Sequence, residues 1–184
     1  MKKNYGEQMV VQEWMTKALI ELMKEHSYDS ITVKQICEKA GVSRMTYYRN
    51  YVSKDDIFSS YSGYLTQLLA EEMRKHSAFT AKSYWSLLFS FIYENREFIS
   101  TLVNSGKGET ILDIMNTNLE SIMGDEHKFA ALISAGGFYN MMLSWAKGGF
   151  SESPERLAEI MCRMMNPIFT EMVISAYSSH FDKL

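Results

Sequence analysis

Residues 31–57 read ITVKQICEKAGVSRMTYYRNYVSKDDI, and their chemistry describes two short helices around a tight turn. Thr32 is a natural N-cap for a helix over 33–39, because its hydroxyl oxygen can accept from amides that the first helical turn leaves unpaired. Gly41, in Ala40-Gly41-Val42, can take the left-handed backbone that closes a helix. Ser43 then caps a second helix over 44–50. Ile36, Cys37, Ala40, Val42 and Tyr47 fall where the two helices would face one core. Arg44, Met45, Thr46, Tyr48, Arg49 and Asn50 are left outside. A helix-turn-helix needs this division to lay its second helix in the major groove of DNA.

The rest of the chain fits around that segment. Its 184 residues suffice for one sizeable core or two small domains. A hydrophobic fraction of 46% with 22% charged residues is that of a globular protein in water. No run of about 18 apolar residues is present, so no membrane span is expected. The first residues, MKKNYGEQMVVQEW, lack an apolar signal core and a small-residue cleavage site, so a cytoplasmic protein is expected. Cys37 and Cys162 sit on helical patterns and read as small buried hydrophobes, not as a disulfide. His26, His76, His127 and His180 make no metal-ligand spacing, and no cofactor is expected. The net charge of −3 is unevenly placed. Residues 1–54 hold nine Lys and Arg against six Asp and Glu; the remainder holds ten against sixteen. A basic head on an acidic body suits DNA binding by one end.

The pattern is helical nearly throughout, and the expected fold is all-α with nine or ten helices. Val11, Met15, Ala18, Leu19 and Leu22 form one apolar stripe on a first helix over 7–26. Ser53 caps a fourth helix to about residue 75, with Asp55 and Asp56 in its positive first turn. Further helices are expected over 81–93, from 94 to the Ser105-Gly106-Lys107-Gly108 break, over 109–123 as far as Gly124, and over 126–147 to Gly148-Gly149. Ser153-Pro154-Glu155 starts the last, which Pro167 must kink or split. The domains are read as a helix-turn-helix head over 1–54 and a helical effector-binding and dimerisation body over 55–184. The helix over 54–75 links them.

The head resembles the DNA-binding domain of the TetR family of transcriptional regulators. The shared features are Tyr28-Asp29-Ser30-Ile31-Thr32-Val33, Ile36-Cys37, Ala40-Gly41-Val42-Ser43, Thr46-Tyr47-Tyr48, Tyr51 and Ser53-Lys54-Asp55-Asp56-Ile57. Ser27 stands where a glycine usually closes the first helix, Cys37 replaces an alanine, and Tyr51 replaces a phenylalanine. The body is similar to the family's C-terminal domain in 91–98, in Gly136-Gly137-Phe138 with Trp145, and in 153–158. It is similar in particular to the branch with regulators of dihydroxyacetone-kinase operons.

The resemblance implies specific roles. Lys34, Tyr48 and Lys54 would touch phosphates, and the Tyr51 hydroxyl offers one more such contact. Arg44, Met45 and Thr46 would reach base edges, with Asn50 further along. Arg44 has the fork that suits the O6 and N7 acceptors of guanine, and Met45 suits a thymine methyl. Arg49 is either a phosphate contact or a solvated charge. The caps Thr32 and Ser43 complete the DNA-binding set. Tyr47 is read as packing. A ligand pocket is implied among Tyr64, Leu68, Trp85, Leu88, Phe89, Leu102, Met115, Phe138 and Met142; the alternative is an aromatic core with no pocket. Few charges fall on these faces, so the effector would be uncharged, or a protein.

The two C-terminal helices would form a homodimer interface. Ala130, Ala131, Ser134, Ala135, Gly136 and Gly137 permit close helix approach on one; Leu157, Ile160, Met161, Met164, Met165 and Ile168 supply the other. Two-fold symmetry would match a palindromic operator on double-stranded DNA. The expected function is a dimeric repressor released by a small-molecule effector. The alternatives are an activator, or a helical adaptor controlled by a protein partner. Catalysis is not expected: Asp55/Asp56 and Glu71/Glu72 are adjacent carboxylates, but no nucleophilic set, metal cluster or phosphate loop accompanies them.

Overall fold

The computed structural model describes residues 2–75 and 80–165, and among these every regular element is a helix. The chain divides into two units, Met1–Leu65 and Thr66–Leu184. The division falls inside the fourth α-helix, beyond the 54/55 boundary read from the sequence. Its first turns supply Ile57 and Phe58, both fully buried, so they belong to the head.

The head comprises α1 (Lys2–Met23), a single 3₁₀ turn (Tyr28–Ser30), α2 (Val33–Ala40), α3 (Arg44–Asn50) and the start of α4 (Asp55–Arg74). Met15, Ala18 and Leu19 of the expected stripe are buried, and α1 packs on α2 through them and Ile36. Burying one such large aliphatic side chain contributes about 1.5–3 kcal/mol. Helix α1 ends three residues before the expected His26, because the Leu22 carbonyl accepts from both Glu25 and His26 and unwinds the last turn. The following Ser27 is extended, at φ −65° and ψ 141°, so the chain needs no left-handed glycine there.

The body contains α5 (Ala81–Glu94), α6 (Arg96–Asn104), α7 (Glu109–Lys147) and α8 (Pro154–Met164). Thr80 and Ser83 form a reciprocal cap at the start of α5. Ser153 accepts from the Arg156 amide at 3.2 Å, and Pro154 opens α8 as its sequence predicts. Helix α5 packs on α8, burying Leu157, Ala158 and Met161, and α6 packs on α7. Helix α8 stops at Met164 with Met165 extended. The kink expected at Pro167, and Ile168 of the expected interface, lie outside the described residues.

Helical conformation extends from Glu109 to Lys147, across Gly124 where a break is expected. The run is nonetheless not straight. A side chain added at Gly108 would meet the Tyr139 hydroxyl at 3.3 Å. Tyr139 also has its hydroxyl pKa raised, by burial first and then by the charges of Glu109 and Asp113. A straight helix would hold residues 108 and 139 about 45 Å apart. The run therefore doubles back between Asp113 and Tyr139.

Candidate nucleic-acid interface

The head builds its exposed face by local capping. Thr32 Oγ1 accepts from the Gln35 amide at 3.3 Å, and Gln35 Oε1 accepts from the Thr32 amide at 2.9 Å. At the other end of α2, Gly41 is left-handed at φ 67°, and the Val42 amide donates back to the Cys37 carbonyl at 2.9 Å. Ser43 Oγ accepts from the Thr46 amide at 3.1 Å and starts α3. Between the helices Ile36, Cys37 and Tyr47 are buried. The Tyr47 ring lies against Tyr51, with centroids 5.5 Å apart. Burial pushes the Cys37 thiol up, so it is held as a neutral apolar filler.

That core turns part of α3 outward. Met45 is 82% exposed and Tyr48 66%, and Arg44 and Arg49 are exposed beside them. Lys34 is exposed on α2, its Nζ 3.8 Å from Glu38, an arrangement of little energetic weight. These five expected DNA-binding side chains are exposed on the head. Thr46 and Asn50 are half-buried and partly engaged. The Thr46 hydroxyl pairs with Ser43 Oγ at 2.9 Å, and Asn50 Nδ2 donates to the Thr46 carbonyl at 2.7 Å. Asn50 therefore closes its own helix, and its amide is not directed at a base. The caps Thr32 and Ser43 are exposed at the two helix starts.

Two expected phosphate contacts are corrected. Tyr51 is 3% exposed, and its hydroxyl is sealed from solvent with no hydrogen-bond partner. It points into the head's core, because α3 must bury every fourth residue, Tyr47 then Tyr51. Lys54 is the second. Its ammonium donates to the carbonyls of Tyr28 and Ile31, each at 2.8 Å, and lies 4.5 Å from the centre of the Tyr28 ring. It is half-buried, with its ammonium against the 3₁₀ turn. Tyr28 in turn donates its hydroxyl to Asp55 at 2.8 Å and stacks on Phe58. Burial, then the Asp55 bond, holds the Tyr28 hydroxyl well above its ordinary pKa, so it stays a donor. Asp56 Oδ2 accepts from the Val52 and Ser53 amides at 2.7 and 2.9 Å, capping α4. The roles of Tyr28 and Asp55 were missed from the sequence. They stand 27 residues apart, beyond any local pattern.

The expected ligand residues separate. Tyr64 belongs to the head, half-buried against Tyr61. In the body, Trp85, Phe89 and Phe138 form one cluster with centroids 5.5 to 6.4 Å apart. Leu102 and Met142 are buried; Leu68, Leu88 and Met115 are half-buried. The expected interface residues also divide. Ala131, Ala135, Leu157 and Met161 are buried within the body, whereas Met164 is 77% exposed, as are Phe129 and Ile133, which the sequence reading did not name for the interface. Among the described residues no group of His, Cys, Asp and Glu could hold a metal, and no helix is long and apolar enough to cross a membrane.

Comparison with known proteins agrees with this geometry. Residues 16–61 match the model of bacterial regulatory proteins of the tetR family. Residues 80–167 match that of a transcriptional regulator C-terminal region. An uncharacterised HTH-type transcriptional regulator of Bacillus subtilis (strain 168), YxbF, is 27% identical over 169 residues, 78% of this chain. The match spans 41% of that relative's length. Among solved structures, the dihydroxyacetone kinase operon activator DhaS aligns with a TM-score of 0.58 at 19% identity, over 85% of this chain and 94% of that one. That likeness is one of fold. With a helix-turn-helix head and a C-terminal region that both match regulator models, the chain belongs to the TetR family of bacterial transcriptional regulators.

Proposed function

We propose that this regulator acts as a homodimer on a palindromic operator, as a repressor released by a small-molecule effector, and that it catalyses no reaction. The observation that carries DNA reading is the outward face of α3, where Arg44, Met45, Tyr48 and Arg49 project from a capped, well-packed turn. Symmetry follows from reach. A seven-residue helix meets few base pairs, and two heads on one duplex double the contact. Phe129 and Ile133, four residues apart on α7 and both exposed, support a self-association surface. This surface lies on the helix that carries the small-residue run, and Met164, 77% exposed on α8, supports a contribution from that helix.

The effector reading rests on the body's aromatic cluster and on two buried polar atoms. Trp85 Nε1 and Asn116 Oδ1 are sealed from solvent without a hydrogen-bond partner. Such atoms cost about 1–3 kcal/mol each, which a ligand could recover by supplying an acceptor and a donor. An uncharged aromatic molecule with a hydroxyl or amide fits this chemistry. DhaS is an operon activator, which favours activation as the second reading. A cytoplasmic site of action goes with either. A binding titration on the duplex upstream of the chain's own gene, against a scrambled duplex, tests the proposal. Equal affinity for both duplexes would rule out sequence reading.

A further inference from the structure

We propose that Lys54 is a positioning residue for DNA reading: its ammonium clamps the first turn of α4 to the α1–α2 turn and so sets the pose in which α3 is presented. The inference rests on the DNA-binding reading above. Its geometry is independent of that reading. Lys54 Nζ meets the Tyr28 and Ile31 carbonyls at 2.8 Å each and approaches the Asp29 carbonyl at 3.5 Å. Its charge also sits on the Tyr28 ring, 4.5 Å from the centroid. Three backbone carbonyls of one turn thus converge on a single ammonium, and bonds from a charged donor are the strong kind.

The place of the clamp matters more than its strength. Ile31 is 2% exposed and directly precedes Thr32, the cap of α2. The Tyr28–Asp55 bond pins the same turn to the next residue of α4. Only Tyr51, Val52, Ser53 and Lys54 separate α3 from α4. A head held at both the α2 start and the α4 start can present α3 in one pose. To reach a phosphate, the ammonium would have to abandon the carbonyls that define the turn. A point charge on the backbone and a clamp on the scaffold make opposite demands on this side chain, and the distances assign it to the second.

The experiment uses the full chain. Lys54→Met keeps the stem over Tyr28 and removes the donors. Binding to the upstream duplex that the wild type recognises should weaken about tenfold. The loss on a scrambled duplex should be smaller, because a misaimed helix still meets phosphates. The slope of log K against log salt should stay unchanged. Amide hydrogen exchange in residues 28–32 of the free protein should quicken about tenfold, with the rest of the head protected. Lys54→Arg, whose fork can serve two carbonyls, should restore both readouts. Adding Tyr28→Leu to Lys54→Met should weaken binding further, since it cuts the separate Tyr28–Asp55 tie between the same turn and α4. A slope shallower by about 0.9 per head, with exchange in 28–32 unaltered, would make Lys54 a phosphate contact and overturn the proposal. Should the wild type bind neither duplex, the DNA-reading function falls and so does the positioning role. The exchange result would then still decide whether the clamp exists.

Discussion

Replacing Tyr51 with phenylalanine isolates one oxygen atom. Tyr51 is 3% exposed, and its hydroxyl finds no partner in the head. An unmade buried hydrogen bond costs about 1–3 kcal/mol. The phenyl ring keeps the contact with Tyr47 at 5.5 Å. Removing the oxygen leaves a gap of about 15 Å³, which at about 24 cal/mol per Å³ returns roughly 0.4 kcal/mol. The variant should therefore be more stable, by about 1 kcal/mol, with a melting temperature raised by about 2–4 °C for a chain of this length. Urea unfolding monitored by circular dichroism measures the change in midpoint.

A pH series adds a second reading of the same atom. Burial, and then Tyr47, pushes the Tyr51 hydroxyl up from 10.0 to about 12. The folded state thus holds a proton that the unfolded state loses above pH 10.0. Wild-type stability should fall from about pH 10 through about pH 12 more steeply than that of Tyr51→Phe. In DNA titrations the variant should keep the wild-type affinity for every duplex. A destabilised variant, or one that binds all duplexes more weakly, would mean that the hydroxyl is engaged after all and would refute the reasoning.

Other outcomes follow from the same geometry. Arg44→Ala should cost about 1–3 kcal/mol per half-site on the recognised duplex and relax preference at one base position, measured by titration against single-base variants. An equal loss on scrambled DNA would instead identify Arg44 as a phosphate contact. Gly41→Ala meets no atom within 4 Å, yet must adopt φ 67°, so thermal melting should report a loss of about 1–2 kcal/mol from backbone strain alone. Ile133→Asp sets a charge among exposed apolar residues of α7 and should leave the fold intact while shifting sedimentation equilibrium toward the 21.3 kDa monomer. A dimer unchanged by that substitution would move the interface elsewhere.

Much of the fold was legible because its signals are local. Caps act over three residues and helical stripes over four, so Thr32, Ser43 and Ser153 mark true helix starts. Gly41 stood out for the same reason, since few residues other than glycine accept its backbone. The face of α3 followed from burying Tyr47. Helix ends were read less well. The His26 boundary depended on how a terminal turn frays, which composition does not decide.

By itself, then, the sequence determined an all-helical chain, its helix-turn-helix and the residue types offered to DNA, because these rest on periodicity and capping within one turn. The tertiary structure decided what those side chains do. Lys54 reads as a cation beside the groove until the turn 23 to 26 residues earlier supplies its carbonyls. Tyr51 reads as a hydroxyl offered to phosphate until packing against Tyr47 carries it inside. The break at Gly124 marks a change of course in the sequence, but that α7 doubles back is decided only where Tyr139 meets Gly108. In each case the deciding contact joins residues distant in the chain, and folding alone brings them together.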